Sequence, residues 1–277
     1  MRTFKAAVLV EQKKPLQIMY ITGALKLEVG QVLVKVFYSG ICGSQLGEIA
    51  GVKGEDKYLP HLLGHEGSGE VRAVGPGVTH VRRGDRVVMH WRKGAGIESV
   101  PPRYDLAGKK MNAGLVTTFN EYAVVSENRV TKIPNDSDMK VAALFGCAVT
   151  TGFGVVENNA KVKIGESVVV FGAGGIGLNI IQAAAMSSAY PIIAVDLYEN
   201  RLDLAKKMGA THTVKVGGHS NQLIGQDLTE ILKDQSLDVF IDNTGGPDVI
   251  ELGYEMVGPQ GRVVCVGVPK YDEDICI

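Results

Sequence analysis

The sequence predicts a mostly β domain followed by an α/β domain built on a parallel, doubly wound sheet. Three observations carry that prediction. The chain has 277 residues, long enough for two modest cores. Its texture changes near residue 155 from closely spaced strands to strand and helix in alternation. A glycine-rich turn, Gly172 to Gly177, stands where a strand gives way to a helix. The expected domains are therefore residues 1–155 and 156–277.

In the first domain, Gln31 to Tyr38 places Val32, Val34 and Val36 on one face, the period of two of a half-buried strand. Further strand-sized runs lie at Ser68 to Val74, Arg86 to His90 and Glu121 to Val125. They are separated by turn residues at Gly75-Pro76-Gly77, Gly84-Asp85 and Ser126-Glu127-Asn128. Met1 to Val10 reads as a first strand, without the layout of a signal peptide. Arg92 to Lys110 is the least regular stretch. In the second domain, strands are expected at Ser167 to Phe171, Ile192 to Val195, Thr213 to Val216, Val239 to Ile241 and Arg262 to Val268. Helices are expected at Gly175 to Met186, Leu202 to Met208, Gln226 to Asp234 and Asp248 to Val257.

Composition narrows the function. Lys and Arg number 29 against 30 Asp and Glu, for a net charge of −1, so no nucleic acid is expected as a partner. Glycine supplies 35 residues, well above the usual share of about 7%, which points to tight turns and close backbone approaches. Cys42, Cys147, Cys265 and Cys276 form no CxxC pair, so neither a disulfide framework nor a local zinc knuckle is indicated. Cys265 falls in a buried-strand pattern and Cys276 near the last residue, and both are read as inert. The apolar stretch Val168 to Met186 is interrupted by four glycines, Asn179 and Gln182, so no membrane span is expected, and the cytoplasm is the simplest location.

GAGGIG matches G-x-G-x-x-G in the strand–turn–helix setting that gives the pattern its meaning. Gly172 allows the tight turn, and Gly174 with Gly175 lets backbone N–H groups approach a pyrophosphate. Gly177 lets the helix close on the strand, and the helix N-terminus adds positive potential. Asp196, at the end of the next strand, would accept from a ribose 2′-hydroxyl and repel a 2′-phosphate, favouring NAD over NADP. Arg201, about one helical turn on, could reach the same ribose.

GICGS (Gly40 to Ser44), GHEGSGEV (Gly64 to Val71), GDRV (Gly84 to Val87) and FGCAVTTGFG (Phe145 to Gly154) are each bland alone. In this order, ahead of the nucleotide fingerprint, they give a chain that resembles the zinc-dependent medium-chain alcohol dehydrogenases along its whole length. The resemblance implies a GroES-like catalytic domain ahead of a Rossmann domain. It further implies a catalytic zinc on Cys42, His65 and Cys147 with Glu66 beside it, where Glu66 is either a ligand or a neighbour. Two thiolates and one imidazole with a fourth position open make a catalytic rather than a structural site.

The resemblance also implies that Ser44 starts a proton relay and that Thr151 and Ile176 flank the nicotinamide. Val266, Gly267 and Val268 would hold its carboxamide, and Trp91 would wall the substrate pocket. Three departures stand out. Arg86 to Thr118 contains no cysteine, so a second, structural zinc is not expected and the loop must be held otherwise. Gln45 stands where relatives carry an aspartate, its amide being expected to accept from His65. Gly47 stands where some relatives end the relay with histidine.

The function implied is hydride transfer between a small alcohol or polyol and NAD, giving an aldehyde or ketone. A zinc-free reductase of the same superfamily and a non-catalytic NAD(H)-binding redox sensor remain as other readings. Five strands are counted in the second domain where six are usual, so its last strand and the return segment that follows are expected to be missing. Assembly into a homo-oligomer is left open by that shortfall.

Overall fold

The computed structural model describes residues 2–23, 26–52, 54–218, 221–233, 235–269 and 274–277. The chain forms two compact units, Met1–Cys147 and Ala148–Ile277. The division therefore falls at Cys147 rather than after residue 155. The residues between belong to helix α3 (Ala148–Gly154), which packs on helix α4 (Gly175–Met186) so closely that a Cβ at Gly152 would meet Asn179.

The first unit consists of two antiparallel five-stranded sheets. One runs β4 (His61–Leu62), β1 (Arg2–Leu9), β2 (Gln17–Gly23), β7 (Tyr104–Leu106), β8 (Lys109–Met111). The other runs β10 (Val130–Lys132), β6 (Arg86–His90), β5 (Glu66–Val74), β3 (Gln31–Ser39), β9 (Tyr122–Ser126). The period of two in β3 is real: Val32 and Val34 are buried in a core shared with Val71, Val87 and Val125. A second core gathers Phe4, Val8, Ile21, Tyr104 and Met111.

Arg92 to Lys110 is more regular than expected, because β7 and β8 form a hairpin across Ala107 and Gly108, whose φ values of 51° and 86° suit a two-residue turn. The stretch before the hairpin is fixed by Glu127, expected only as a turn residue. Its carboxylate accepts from the N–H groups of Thr79 (2.6 Å), His80 (3.0 Å) and Ile97 (2.8 Å). Burial pushes that carboxyl up, but the Ile97, His80 and Thr79 N–H groups outweigh it and hold it below its ordinary value.

In the second unit β11 (Val168–Phe171), β12 (Ile192–Asp196), β13 (His212–Lys215), β14 (Leu237–Asp242) and β15 (Val257–Cys265) make one parallel sheet in the order β13-β12-β11-β14-β15. Alternate residues of one strand enter opposite cores. Val168 and Val170 pack with Ala194 and Ile241, whereas Val169 and Phe171 pack with Ile193 and Phe240. A sheet covered on both faces explains the unbroken apolar runs. The order reverses beside β11, so the glycine turn sits at the switch point where doubly wound sheets bind ligands. β15 is one of the two edge strands, and Cys265 at its end is exposed, not buried as its apolar neighbours suggested. Among the described residues no single helix is long and apolar enough to cross a membrane.

Candidate metal centre and anion-binding turn

Three short segments bring the first unit's cysteines and histidine together. β3 ends beside the start of β5, where the Glu66 carbonyl accepts from the Gly40 N–H (3.3 Å) and from the Ser39 and Thr118 hydroxyls (3.0 Å each). That tie sets Cys42, at the head of helix α1 (Gly43–Ala50), next to His65. Cys147 follows Gly146, where a Cβ would collide with the Met89 carbonyl and with Glu66. Only glycine lets the chain pass there. One ligand atom from each of Cys42, His65 and Cys147 lies within 4.8 Å of the other two.

The Glu66 carboxylate is not part of that group. Its side chain is buried against Gly40 and Gly146, leaving three side chains as the donor set. Ser44 is exposed on the first turn of α1, beside Cys42. The Cys42 thiol is pushed down to about 3 by the Cys147 thiol and then the His65 imidazole, against burial, with Ser44 hydroxyl and N–H adding to the effect. Gln45 does not serve His65. Its Oε1 accepts from the Cys42 N–H at 3.1 Å, as a side chain at the third position of a helix does when it caps the first turn.

His65 Nε2 is buried and has no hydrogen-bond partner among the described residues. Two thiols and an imidazole within 4.8 Å of one another are a set of soft donors, and with the His65 Nε2 buried and unpartnered these residues fit zinc. A cavity of about 700 Å³ lies alongside, its wall including His65, Gln45, Glu48, His61, Arg103 and Lys110. Trp91 is half exposed, and its carbonyl accepts from Arg129.

In the second unit each fingerprint glycine has its own reason. Gly172 has φ +94°, and a Cβ on Gly177 would strike the Gly172 carbonyl. Gly174 and Gly175 border open space, which leaves bare N–H groups at the head of α4 for an anion. Asp196 is buried, accepting from the Ala173 N–H at 2.8 Å and the Tyr198 N–H at 2.9 Å. Arg201 Nη1 lies 3.5 Å from Asp196 Oδ2, and its guanidinium stacks 4.8 Å over the Tyr198 ring. Gly172, Gly174, Asp196 and Arg201 line one pocket of about 430 Å³.

Val266 and Gly267 donate to the Asp242 carbonyl at 2.7 and 3.1 Å, which fixes the backbone leading to Val268. Asp242 itself went unnoticed in the sequence. Its carboxylate is fully buried and accepts from the Thr244 N–H (2.8 Å), the Thr244 hydroxyl (2.6 Å) and the Gly245 N–H (2.9 Å). The available signal was an aspartate opening the turn Asp242-Asn243-Thr244-Gly245. Ile176 packs on the core around Ile180 and Val170, and Thr151 is half-buried on α3.

Comparison with known proteins agrees with both units. Residues 28–135 match the family model described as alcohol dehydrogenase GroES-like domain, and residues 175–277 match that of zinc-binding dehydrogenase. The chain is 35% identical to an S-(hydroxymethyl)glutathione dehydrogenase of Synechocystis over 98% of its own length and 79% of the relative's. A crystal structure of an alcohol dehydrogenase zinc-binding domain protein from Burkholderia ambifaria superposes with a TM-score of 0.88 at 28% identity, covering 99% of this chain and 79% of that one. Benzyl alcohol dehydrogenase from Acinetobacter calcoaceticus gives 0.85 at 28% identity, covering 100% and 80%. With a GroES-like unit that gathers two cysteines and a histidine, and a parallel-sheet unit of the matching kind, the chain belongs to the zinc-dependent alcohol dehydrogenase family.

Proposed function

We propose that this protein oxidises a small alcohol or polyol, or reduces the matching aldehyde or ketone, using one zinc ion and NAD. The observation that carries the reading is the cluster of Cys42, His65 and Cys147 ligand atoms within 4.8 Å of one another. When bound, zinc supplies Lewis acidity toward a hydroxyl or carbonyl oxygen, and NAD supplies the hydride acceptor.

The chain's own residues divide the remaining work. Cys42, His65 and Cys147 would hold the metal, whose Lewis acidity would act on the substrate oxygen. Ser44, beside Cys42 and open to solvent, accepts the proton of the substrate hydroxyl and passes it on through ribose or water, since Gly47 offers no side chain to take it further. The N–H groups at the head of α4 hold the pyrophosphate. Asp196 takes the ribose hydroxyl and turns away a 2′-phosphate, and Arg201 steadies that carboxylate. Thr151, Ile176 and the strand end at Val266 to Val268 position the nicotinamide. Glu66 supports the metal ligands from its place between two glycines.

The test combines metal analysis with absorbance at the NADH band over a panel of primary alcohols, secondary alcohols and polyols. One zinc per chain in this site and alcohol-dependent NADH formation are expected. A chain that turns over with the site free of metal would be a zinc-free reductase. One that binds NADH yet turns over no alcohol would be a redox sensor.

A further inference from the structure

Asp242 is fully buried at the end of β14, and the proposed reaction makes no use of it. A carboxylate shut away from water is costly unless hydrogen bonds replace the solvent. Here they do, and they come from the turn that follows. Oδ1 accepts from the Thr244 N–H (2.8 Å) and hydroxyl (2.6 Å), and Oδ2 accepts from the Gly245 N–H (2.9 Å). The Thr244 hydroxyl accepts in turn from the Gly246 N–H (3.1 Å), at the head of the helix Pro247–Met256. The side chain thus dictates the path of a turn in which Gly245 has φ +74°.

That turn is wedged between two parts of the candidate dinucleotide site. On one side, Asn243 Nδ2 donates to the Gly172 carbonyl at 3.4 Å, and a Cβ on Gly172 would meet Thr244 Cγ2 at 3.0 Å. On the other, backbone meets backbone. A Cβ on Gly245 would lie 2.6 Å from the Val268 carbonyl, and one on Gly267 would strike the Gly245 nitrogen. Contacts this close pass a displacement on instead of absorbing it. The main-chain carbonyl of Asp242 meanwhile takes the Val266 and Gly267 N–H groups at 2.7 and 3.1 Å. The strand end is therefore held twice, directly by that carbonyl and sideways by the turn that the carboxylate shapes.

We propose that Asp242 is the positioning residue for the nicotinamide end of the cofactor, its carboxylate setting the turn against which Val266 to Val268 are registered. The proposal rests on the reading above that this strand end holds the carboxamide. Asp242 acts through its neighbours: Asn243 and Thr244 line the pocket of Asp196 and Arg201, whereas Asp242 does not. A misplaced strand end weakens only a ligand that carries the nicotinamide. ADP-ribose, with the same adenosine, pyrophosphate and second ribose, is the control.

The test measures NADH and ADP-ribose affinities by calorimetry on the full zinc-loaded chain. In Asp242→Asn the amide keeps an accepting oxygen for only one side of the turn. NADH affinity is expected to fall at least about tenfold, and that of ADP-ribose by less than about threefold. The ratio of the two affinities is the readout, because damage to the fold or to the adenosine side lowers both alike. Thr244→Val, at an exposed position, removes the hydroxyl between Asp242 Oδ1 and the Gly246 N–H and is expected to shift the ratio in the same direction. An unchanged ratio in Asp242→Asn overturns the proposal, as does an unchanged ratio in Thr244→Val where the first variant does not fold. Wild-type protein that binds both ligands equally overturns it by removing the grip on the carboxamide. Wild-type protein that binds neither overturns the choice of NAD along with it.

Discussion

The two units build their sites in opposite ways. In the second, the anion-binding turn is one unbroken stretch, Gly172 to Gly177: Gly172 has a positive φ, Gly177 closes on the Gly172 carbonyl, and Gly174 and Gly175 border open space. In the first, Cys42, His65 and Cys147 come from three segments far apart in sequence and meet only after β3, β5 and the turn at Gly146 are in place. A contiguous site depends on local backbone geometry. An assembled one depends on the fold of everything around it.

The largest effect expected is at the assembled site. Cys147→Ser removes one of three donors, and zinc affinity should fall on the order of a hundredfold or more, read by chelator competition, while NADH fluorescence titration stays unchanged. Loss of NADH binding as well would show that the two sites do not fail independently.

Gly177→Ala probes the contiguous site. The added methyl strikes the Gly172 carbonyl, and overpacking of this kind costs about 1–3 kcal/mol. Dinucleotide affinity should drop while zinc content holds, and calorimetry with metal analysis on the same sample distinguishes the two. A variant that binds NADH normally would mean that the turn relaxes freely.

The smallest effect concerns the loop through Ile97 in the first unit. Glu127→Gln replaces an accepting oxygen with an amide that cannot serve all three N–H groups, for a loss of about 1–2 kcal/mol. In the unaltered protein the native carboxyl lies below its unfolded value, so its contribution is complete above the ordinary glutamate pKa of about 4.3. It is lost as the pH falls from there through the lowered native pKa. The difference between wild type and Glu127→Gln in urea midpoints should therefore shrink below that pH. A constant difference across the range would show that the charge plays no part.

The same contrast explains how much could be read beforehand. The parallel strands announced themselves because a strand buried on both faces must be apolar throughout, as Val168 to Phe171 is, and the glycine turn carried its own context. The three candidate ligands, Cys42, His65 and Cys147, had no local signature and became visible only through the order of several motifs. Burial at Cys265 was misjudged because β15 carries a core-like sequence at a sheet edge. The partner of Gln45 was misjudged because the first turn of the helix competes with His65 for one amide. Glu127 looked like an ordinary turn residue, since three N–H groups from two other loops cannot be seen from its neighbours.

Glu127 also decides how the first unit responds to chemical insult. The loop through Ile97 is fastened by a carboxylate and three amides, in a stretch without cysteine. Peroxide attacks sulfur and EDTA extracts ions, but neither has anything to act on at this fastening. Oxidation of Cys42 and Cys147, or loss of a metal held there, would leave this fastening of the loop intact.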